Sequence, residues 1–191
     1  MKGKYPVVLA SASPRRKELL ARLFETFEIV QSAVDEDSIE APAESLARVL
    51  AEAKAADVFK QRSDNLVIGC DTTVALDGKL FGKPRSEGAA RAMLEQLSGK
   101  SHEVITGVCL MYPDGRKSLL EISTVTFRKI EPEEIDEYVR TGEPMDKAGA
   151  YAIQGGAKKF AARIRGDIDN IIGLPVAALQ RALEEIGYMG S

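Results

Sequence analysis

Tyr5-Pro6-Val7-Val8-Leu9-Ala10-Ser11-Ala12-Ser13-Pro14-Arg15-Arg16-Lys17-Glu18-Leu19-Leu20 is the stretch on which the fold turns. Tyr5 to Ala10 reads as a short buried strand. Ser13-Pro14 then supplies an N-cap and a first-turn proline for a helix carrying Leu19, Leu20, Leu23 and Phe24 on one face. A strand passing through a short loop into a helix marks an α/β chain.

Further along, an acidic, small-residue loop from Ser32 to Glu44 precedes a helix predicted over Ser45 to Phe59, with Leu46, Val49, Leu50 and Ala53 at helical spacing and Lys54 beside that stripe. Leu66 to Leu76 is an apolar, β-branched run, and Asp77-Gly78 turns it into Lys79 to Phe81 as a hairpin. Lys83-Pro84 ends it. A helix is expected over Glu87 to Leu97, closed at Ser98-Gly99. Two longer strands, His102 to Tyr112 and Leu119 to Ile130, meet at Pro113-Asp114-Gly115, and the second puts Ser123, Val125 and Phe127 on one face and Ile122, Thr124, Thr126 and Arg128 on the other. Glu133 to Arg140 is a short helix after Pro132. Thr141 to Gly156 is a glycine-rich loop without strong periodicity, the kind of segment that carries function. A strand over Phe160 to Ile164 and a helix running to about Glu185 complete an α/β protein with a mixed sheet.

At 191 residues, 45% hydrophobic and 29% charged, the chain is long enough to bury one continuous core. One domain spanning 1–191 is the default, with room for two lobes. A net charge of −3 argues against a general nucleic-acid binder, so any anion site has to be local. Cys70 and Cys109 sit in apolar runs at a spacing that matches neither a zinc pattern nor a redox pair, and read as reduced, buried thiols. With His102 as the single histidine, a catalytic metal would rest on oxygen ligands and would be magnesium or manganese. Met1-Lys2-Gly3-Lys4 before Val7 to Ala12 mimics a signal peptide, but the apolar stretch is too short, and no run is long enough to span a membrane. A cytoplasmic protein without a membrane partner is expected.

The chemistry-bearing residues are scattered. Arg15 and Arg16 occupy the first turn of a helix whose dipole already makes that end positive, which is locally unfavourable. A bound anion would reverse the sign, with backbone N–H groups, the Ser11 and Ser13 hydroxyls and both guanidinium groups converging on phosphate oxygens. The alternative is that both arginines point into water. Asp71 follows the apolar strand Leu66 to Cys70, a costly place for an unpartnered carboxylate. It is a candidate metal ligand or proton acceptor, against the alternative of a carboxylate satisfied by backbone or a lysine. Glu36 is a second candidate ligand, Lys54 and Lys83 are candidate phosphate partners, and Gln154 before Gly155-Gly156 is a candidate for reading a base edge. Each also has a plain surface or turn reading, and His102 reads as structural. Neither a GxxxxGK[ST] loop nor a GxGxxG after a strand occurs.

Taken in order, Leu9 to Arg16, Asp35-Glu36, Lys54-Ala55, Gly69 to Val74, Lys83-Pro84, Leu97-Ser98-Gly99, Thr106-Gly107-Val108, Glu143 to Gly155 and Gly173-Leu174-Pro175 resemble the Maf family, over nearly the whole chain. The Asp146 to Gly155 segment is similar to the branch acting on dTTP and UTP. The resemblance implies an elongated mixed sheet flanked by helices, two lobes with a central cleft as in the inosine triphosphate pyrophosphatase group, a divalent cation (magnesium or manganese), and a homodimer. It implies that Asp71 is the proton acceptor, that Arg15, Thr72 and Gln154 bear on base specificity, and that Ser11, Arg16, Lys54 and Lys83 lie around the phosphates, with Glu36 and Asp71 as metal ligands.

The activity expected from that resemblance is hydrolysis of a nucleoside triphosphate to the monophosphate and pyrophosphate. A triphosphate brings about four negative charges, so several cations have to converge on it. Two other readings stand beside it: a nucleotide-binding regulator of septum formation with little turnover, and a pyrophosphatase for a modified or purine nucleotide.

Overall fold

The computed structural model describes residues 4–189; the Met1 to Gly3 start of the signal-like segment lies outside them. The strands are β1 (Val7–Leu9), β2 (Glu28–Ile29), β3 (Leu66–Leu76), β4 (Lys79–Phe81), β5 (Ser101–Tyr112), β6 (Gly115–Phe127) and β7 (Ala161–Arg165). The helices are α1 (Pro14–Leu20), α2 (Ala43–Phe59), α3 (Glu87–Leu97), α4 (Pro132–Arg140), α5 (Ile168–Ile172) and α6 (Val176–Glu185). The strands form one sheet of order β2-β1-β3-β5-β6-β7, with β4 paired to β3. β1 runs parallel to both β2 and β3, whereas β4 and β7 pair antiparallel with β3 and β6. The sheet is therefore mixed, as the sequence predicts.

Most predicted elements are present, and the differences have local causes. The β3–β4 hairpin turns at Asp77 and Gly78, both at positive φ, with Leu76 opposite Lys79. Ser86 caps α3 by accepting from the Ala89 N–H, and Gly99 takes the left-handed conformation after it. α1 is shorter than its apolar stripe: the Arg22 and Leu23 N–H groups reach back three residues, to the Leu19 and Leu20 carbonyls, which tightens and ends the helix. β6 begins at Gly115 rather than Leu119 because the turn before it is tight, and it ends at Phe127, one residue before the Arg128 N–H bonds the Phe160 carbonyl beside β7. β2 and α5, two and five residues long, were too short to register as periodic runs.

The chain divides into two compact units, one of Met1–Asp71, Thr106–Glu121 and Gly173–Ser191, the other of Thr72–Ile105 and Ile122–Ile172. In the first, the buried face of α2 is Ala47, Leu50, Ala51, Lys54, Ala55 and Val58, about a third of a turn away from the predicted Leu46, Val49, Leu50, Ala53 stripe. The reason is backbone approach. A Cβ on Gly69 of β3 would lie 2.2 Å from the Ala51 carbonyl oxygen, and one on Gly107 of β5 2.4 Å from that of Ala47. Glycine on the strands and alanine on the helix let the two backbones touch. The rotation has a consequence for chemistry, since it carries Lys54 onto the sheet-facing side.

The second unit has its own core, in which Val74, Phe81, Leu94, Val125, Phe127, Ile135, Tyr138, Tyr151 and Phe160 are buried together. Phe127 meets Tyr151 and Phe160 edge to face at 4.8 and 6.1 Å between ring centroids, and Tyr138 meets Phe160 at 5.5 Å. The Thr141 to Gly156 segment packs here as short 3-10 turns, at Glu143–Asp146 and Ala148–Ala150, with a third over Gly156–Phe160.

Candidate active site

Asp71 stands in the middle of β3, 6% exposed, and its carboxylate is met from α2 by Lys54. Lys54 Nζ donates to Asp71 Oδ1 at 2.6 Å and pairs with Glu36 Oε1 at 2.7 Å. Glu36 comes from the 3-10 turn Glu36–Ser38, whose start is fixed by the Asp35 side chain accepting from the Asp37 N–H. A buried ion pair is costly unless each charge is compensated. Here one ammonium bridges a buried and an exposed carboxylate, so the cluster carries one negative charge in excess. The lysine reading of Asp71 from sequence is met, and by a residue that sequence reasoning had put on phosphate duty.

The second cluster lies at the end of β1. Extending the β1–β3 register, in which Leu9 is opposite Ile68, brings Ser11 level with Cys70, one residue from Asp71. Ser11 is buried; its Oγ accepts from the Ser13 N–H and from Arg16 Nη1, both at 3.3 Å. Ser13 Oγ caps α1 through the Arg16 N–H. Arg16 is half-buried, and its Nε donates to the Gly173 carbonyl at 3.0 Å. The Cys70 thiol donates to that same oxygen at 3.1 Å. Burial pushes the Cys70 thiol up, against the pull of Arg16 and Lys54 nearby. Gly173 is the acceptor on which Arg16 is oriented, and no spacing rule links it to a residue so far away in the chain. Arg15, on the same first turn, is half-buried.

Thr72, Lys83 and Gln154 belong to the second unit. Thr72 is half-buried on β3, Lys83 is exposed just after β4, and Gln154 is exposed between the buried Ile153 and the Gly155-Gly156 pair. His102 is structural, as expected: Nε2 lies 2.8 Å from Tyr151 Oη, the ring packs against Phe127 and Tyr151, and burial lowers its pKa from 6.5 to about 4. Cys70 and Cys109 are both free and buried, as expected.

A family profile described as "Maf-like protein" matches residues 6–186. The chain belongs to the Maf family. Among Maf relatives, the dTTP/UTP pyrophosphatase of Carboxydothermus hydrogenoformans is 46% identical over 95% of this chain and 99% of its own length. That of Deinococcus radiodurans is 46% identical over 95% and 93%, and that of Thermococcus gammatolerans 45% identical over 95% and 97%. The solved structure of the Staphylococcus aureus Ham1 protein is a distant likeness, with 16% identity, a TM-score of 0.49, and coverage of 95% of this chain and 99% of that one.

For a Maf protein the donor set matters. Among the described residues no group of three or more His, Cys, Asp or Glu side chains is arranged to hold a metal. The oxygens of Asp71 and Glu36 that converge, Oδ1 and Oε1, do so on the Lys54 ammonium, and each carboxylate has a second hard oxygen donor besides. A magnesium or manganese ion commonly takes one or two carboxylates and fills its remaining positions with water and phosphate oxygens, so this pair fits such an ion as part of a substrate-completed set.

Proposed function

We propose that this Maf chain is a nucleoside triphosphate pyrophosphatase that hydrolyses dTTP and UTP to the monophosphate and pyrophosphate, a nucleotide-pool housecleaning hydrolase. One observation carries the reading: relatives named dTTP/UTP pyrophosphatase align at 46% and 45% identity over 95% of the chain, within a match to the family that covers residues 6–186.

Asp71 is the group we assign to the chemistry. With Oδ1 tied to Lys54, Oδ2 is the oxygen assigned to the attacking water. As the water oxygen bonds to the α-phosphorus, its proton passes to Asp71, the bond from the α-phosphorus to the bridging oxygen breaks, and pyrophosphate leaves with that oxygen. Lys54 holds the carboxylate in place and has a further N–H for a phosphate oxygen. Ser11 and Arg16 are assigned to phosphate binding with Lys83, because a helix N-terminus, a hydroxyl and guanidinium donors suit phosphate oxygens. Asp71 and Glu36 would hold a divalent cation, magnesium or manganese, which supplies charge neutralisation of the phosphates when bound. Arg15, Thr72 and Gln154 are assigned to base specificity. Uracil and thymine present an N3–H donor beside a carbonyl acceptor, and the Gln154 amide matches both.

We further propose that the protein acts in the cytoplasm as a homodimer; among the described residues no helix is long and apolar enough to cross a membrane. A pyrophosphate-release assay over common and modified triphosphates, with magnesium and with manganese, tests the whole reading. Fastest turnover of dTTP and UTP is expected. Triphosphate binding without pyrophosphate release would replace it with a regulatory role.

A further inference from the structure

The segment that carries Gln154 has no helix or strand to hold it, yet its backbone is pinned on both sides by two side chains. Tyr138, in the last turns of α4, is 2% exposed, and its Oη accepts the Ala152 N–H at 3.1 Å while donating to Glu143 Oε1 at 2.8 Å. Glu143 in turn accepts the Gly156 N–H through both oxygens, at 3.1 and 3.2 Å. One hydroxyl and one carboxylate thus tie down the amides two residues before and two residues after Gln154. Burial pushes the Tyr138 phenol well above its ordinary range, which keeps the O–H in place as a donor.

The clamp is itself built in. Thr141 Oγ1 donates to the Tyr138 carbonyl at 2.6 Å and accepts the Glu143 N–H at 3.2 Å, which sets where Glu143 leaves the chain. Gly155 and Gly156 are the clearance it needs: a Cβ on Gly155 would lie 2.1 Å from Glu143 Oε1, and one on Gly156 3.1 Å from the Tyr138 ring. Ile153, between the pinned amides, and Tyr151, just before them, are buried, so the exposed Gln154 side chain starts from a fixed backbone. Neither Tyr138 nor Glu143 has a role in the reaction assigned above.

We propose that Tyr138 and Glu143 are positioning residues for pyrimidine discrimination, acting by fixing the backbone on either side of Gln154; this rests on the reading of Gln154 as a base-reading residue. An amide selects uracil over cytosine only when its oxygen and nitrogen are presented in one sense, and a backbone fixed on both sides narrows the positions from which the Gln154 amide can reach the base edge. Removing the clamp costs the discrimination rather than the chemistry, so it acts on KM more than on kcat.

The test measures kcat and KM for UTP and CTP in the full chain and in Tyr138→Phe, Glu143→Gln, Gln154→Ala and the Tyr138→Phe/Gln154→Ala double variant. Tyr138→Phe keeps the ring and its packing, and Glu143→Gln keeps the length and one acceptor oxygen. Each of the first two variants is expected to lower the UTP-to-CTP ratio of kcat/KM by about fivefold, the worth of one good hydrogen bond, mainly through KM for UTP. The Tyr138 change is expected to have no further effect on the ratio once Gln154 is gone. If Gln154→Ala lowers the ratio while the Tyr138 and Glu143 variants keep it, the positioning role is wrong and the base-reading role stands. If Gln154→Ala leaves the ratio unchanged, base reading by Gln154 fails and the positioning role fails with it. Equal losses in kcat for UTP and CTP, with the ratio kept, would mark Tyr138 and Glu143 as structural only. Should Tyr138→Phe not fold, Glu143→Gln carries the same comparison.

Discussion

The Lys54 locus of the first unit and the Gln154 locus of the second are held by different physics. Around Lys54, a helix lies backbone to backbone on two strands, and the contact is made of missing atoms: alanine at 47, 51 and 55 against glycine at 69 and 107. Around Gln154, regular structure gives way to short turns, and hydrogen bonds from Tyr138 and Glu143, with buried Tyr151 and Ile153, do the holding. Secondary elements give the more precise placement, which the role proposed for Asp71 requires, since its carboxylate has to hold a water in line with a phosphorus centre. The base-edge reading proposed for Gln154 tolerates a segment held at a few points.

Substituting one locus at a time separates the two. Gly107→Ala strikes the first alone. Its new methyl would sit 2.4 Å from the Ala47 carbonyl oxygen and 2.5 Å from the Arg48 Cα, both backbone atoms that move only if α2 moves. A loss of about 3 kcal/mol in urea unfolding is expected, at the upper end for overpacking, together with a fall in pyrophosphate release as Lys54 is displaced. Unchanged unfolding would mean that the close helix contact is not what seats Lys54.

The second locus is sensitive to acid. His102 is buried and its pKa falls from 6.5 to about 4, so the neutral ring is favoured in the folded state. The unfolded chain binds the extra proton first as pH drops. Stability is therefore fully present above about pH 6.5 and is lost progressively towards pH 4, by about 3 kcal/mol in all. Urea unfolding at pH 7 and at pH 4.5 measures it, and His102→Gln, which does not titrate, is expected to flatten that part of the slope. The smallest effect is on selectivity. Gln154→Ala is expected to narrow the UTP-to-CTP ratio of kcat/KM by about fivefold, the worth of one hydrogen bond, with folding unchanged; an unchanged ratio would remove Gln154 from base reading.

The two loci were also unequally legible in the sequence. The β3–β4 hairpin and α3 could be read because their signals are local: Asp77-Gly78 at the turn, Ser86 and Gly99 at the helix ends. The buried face of α2 was misplaced because alanine carries little hydropathy, so the larger Leu46 and Val49 outweighed the residues that make the contact. Glu36, Lys54 and Asp71 could be nominated one at a time, but their joining through one ammonium depends on that face. Thr141 to Gly156 reads as a candidate functional loop from its glycines and weak periodicity, whereas its clamp does not show in the sequence. Tyr138 looks like an ordinary apolar position of α4, and nothing in local spacing ties it to Ala152.

The role proposed for Asp71 is to take the proton from the water that cuts the triphosphate. Steady-state pyrophosphate release from UTP, with magnesium present, compared between the native chain and Asp71→Asn at matched folding, tests it most directly. Asparagine keeps the shape and an oxygen for Lys54 but cannot accept the proton, and kcat is expected to fall by about 10² to 10⁴. Near-full turnover by Asp71→Asn would contradict the assignment.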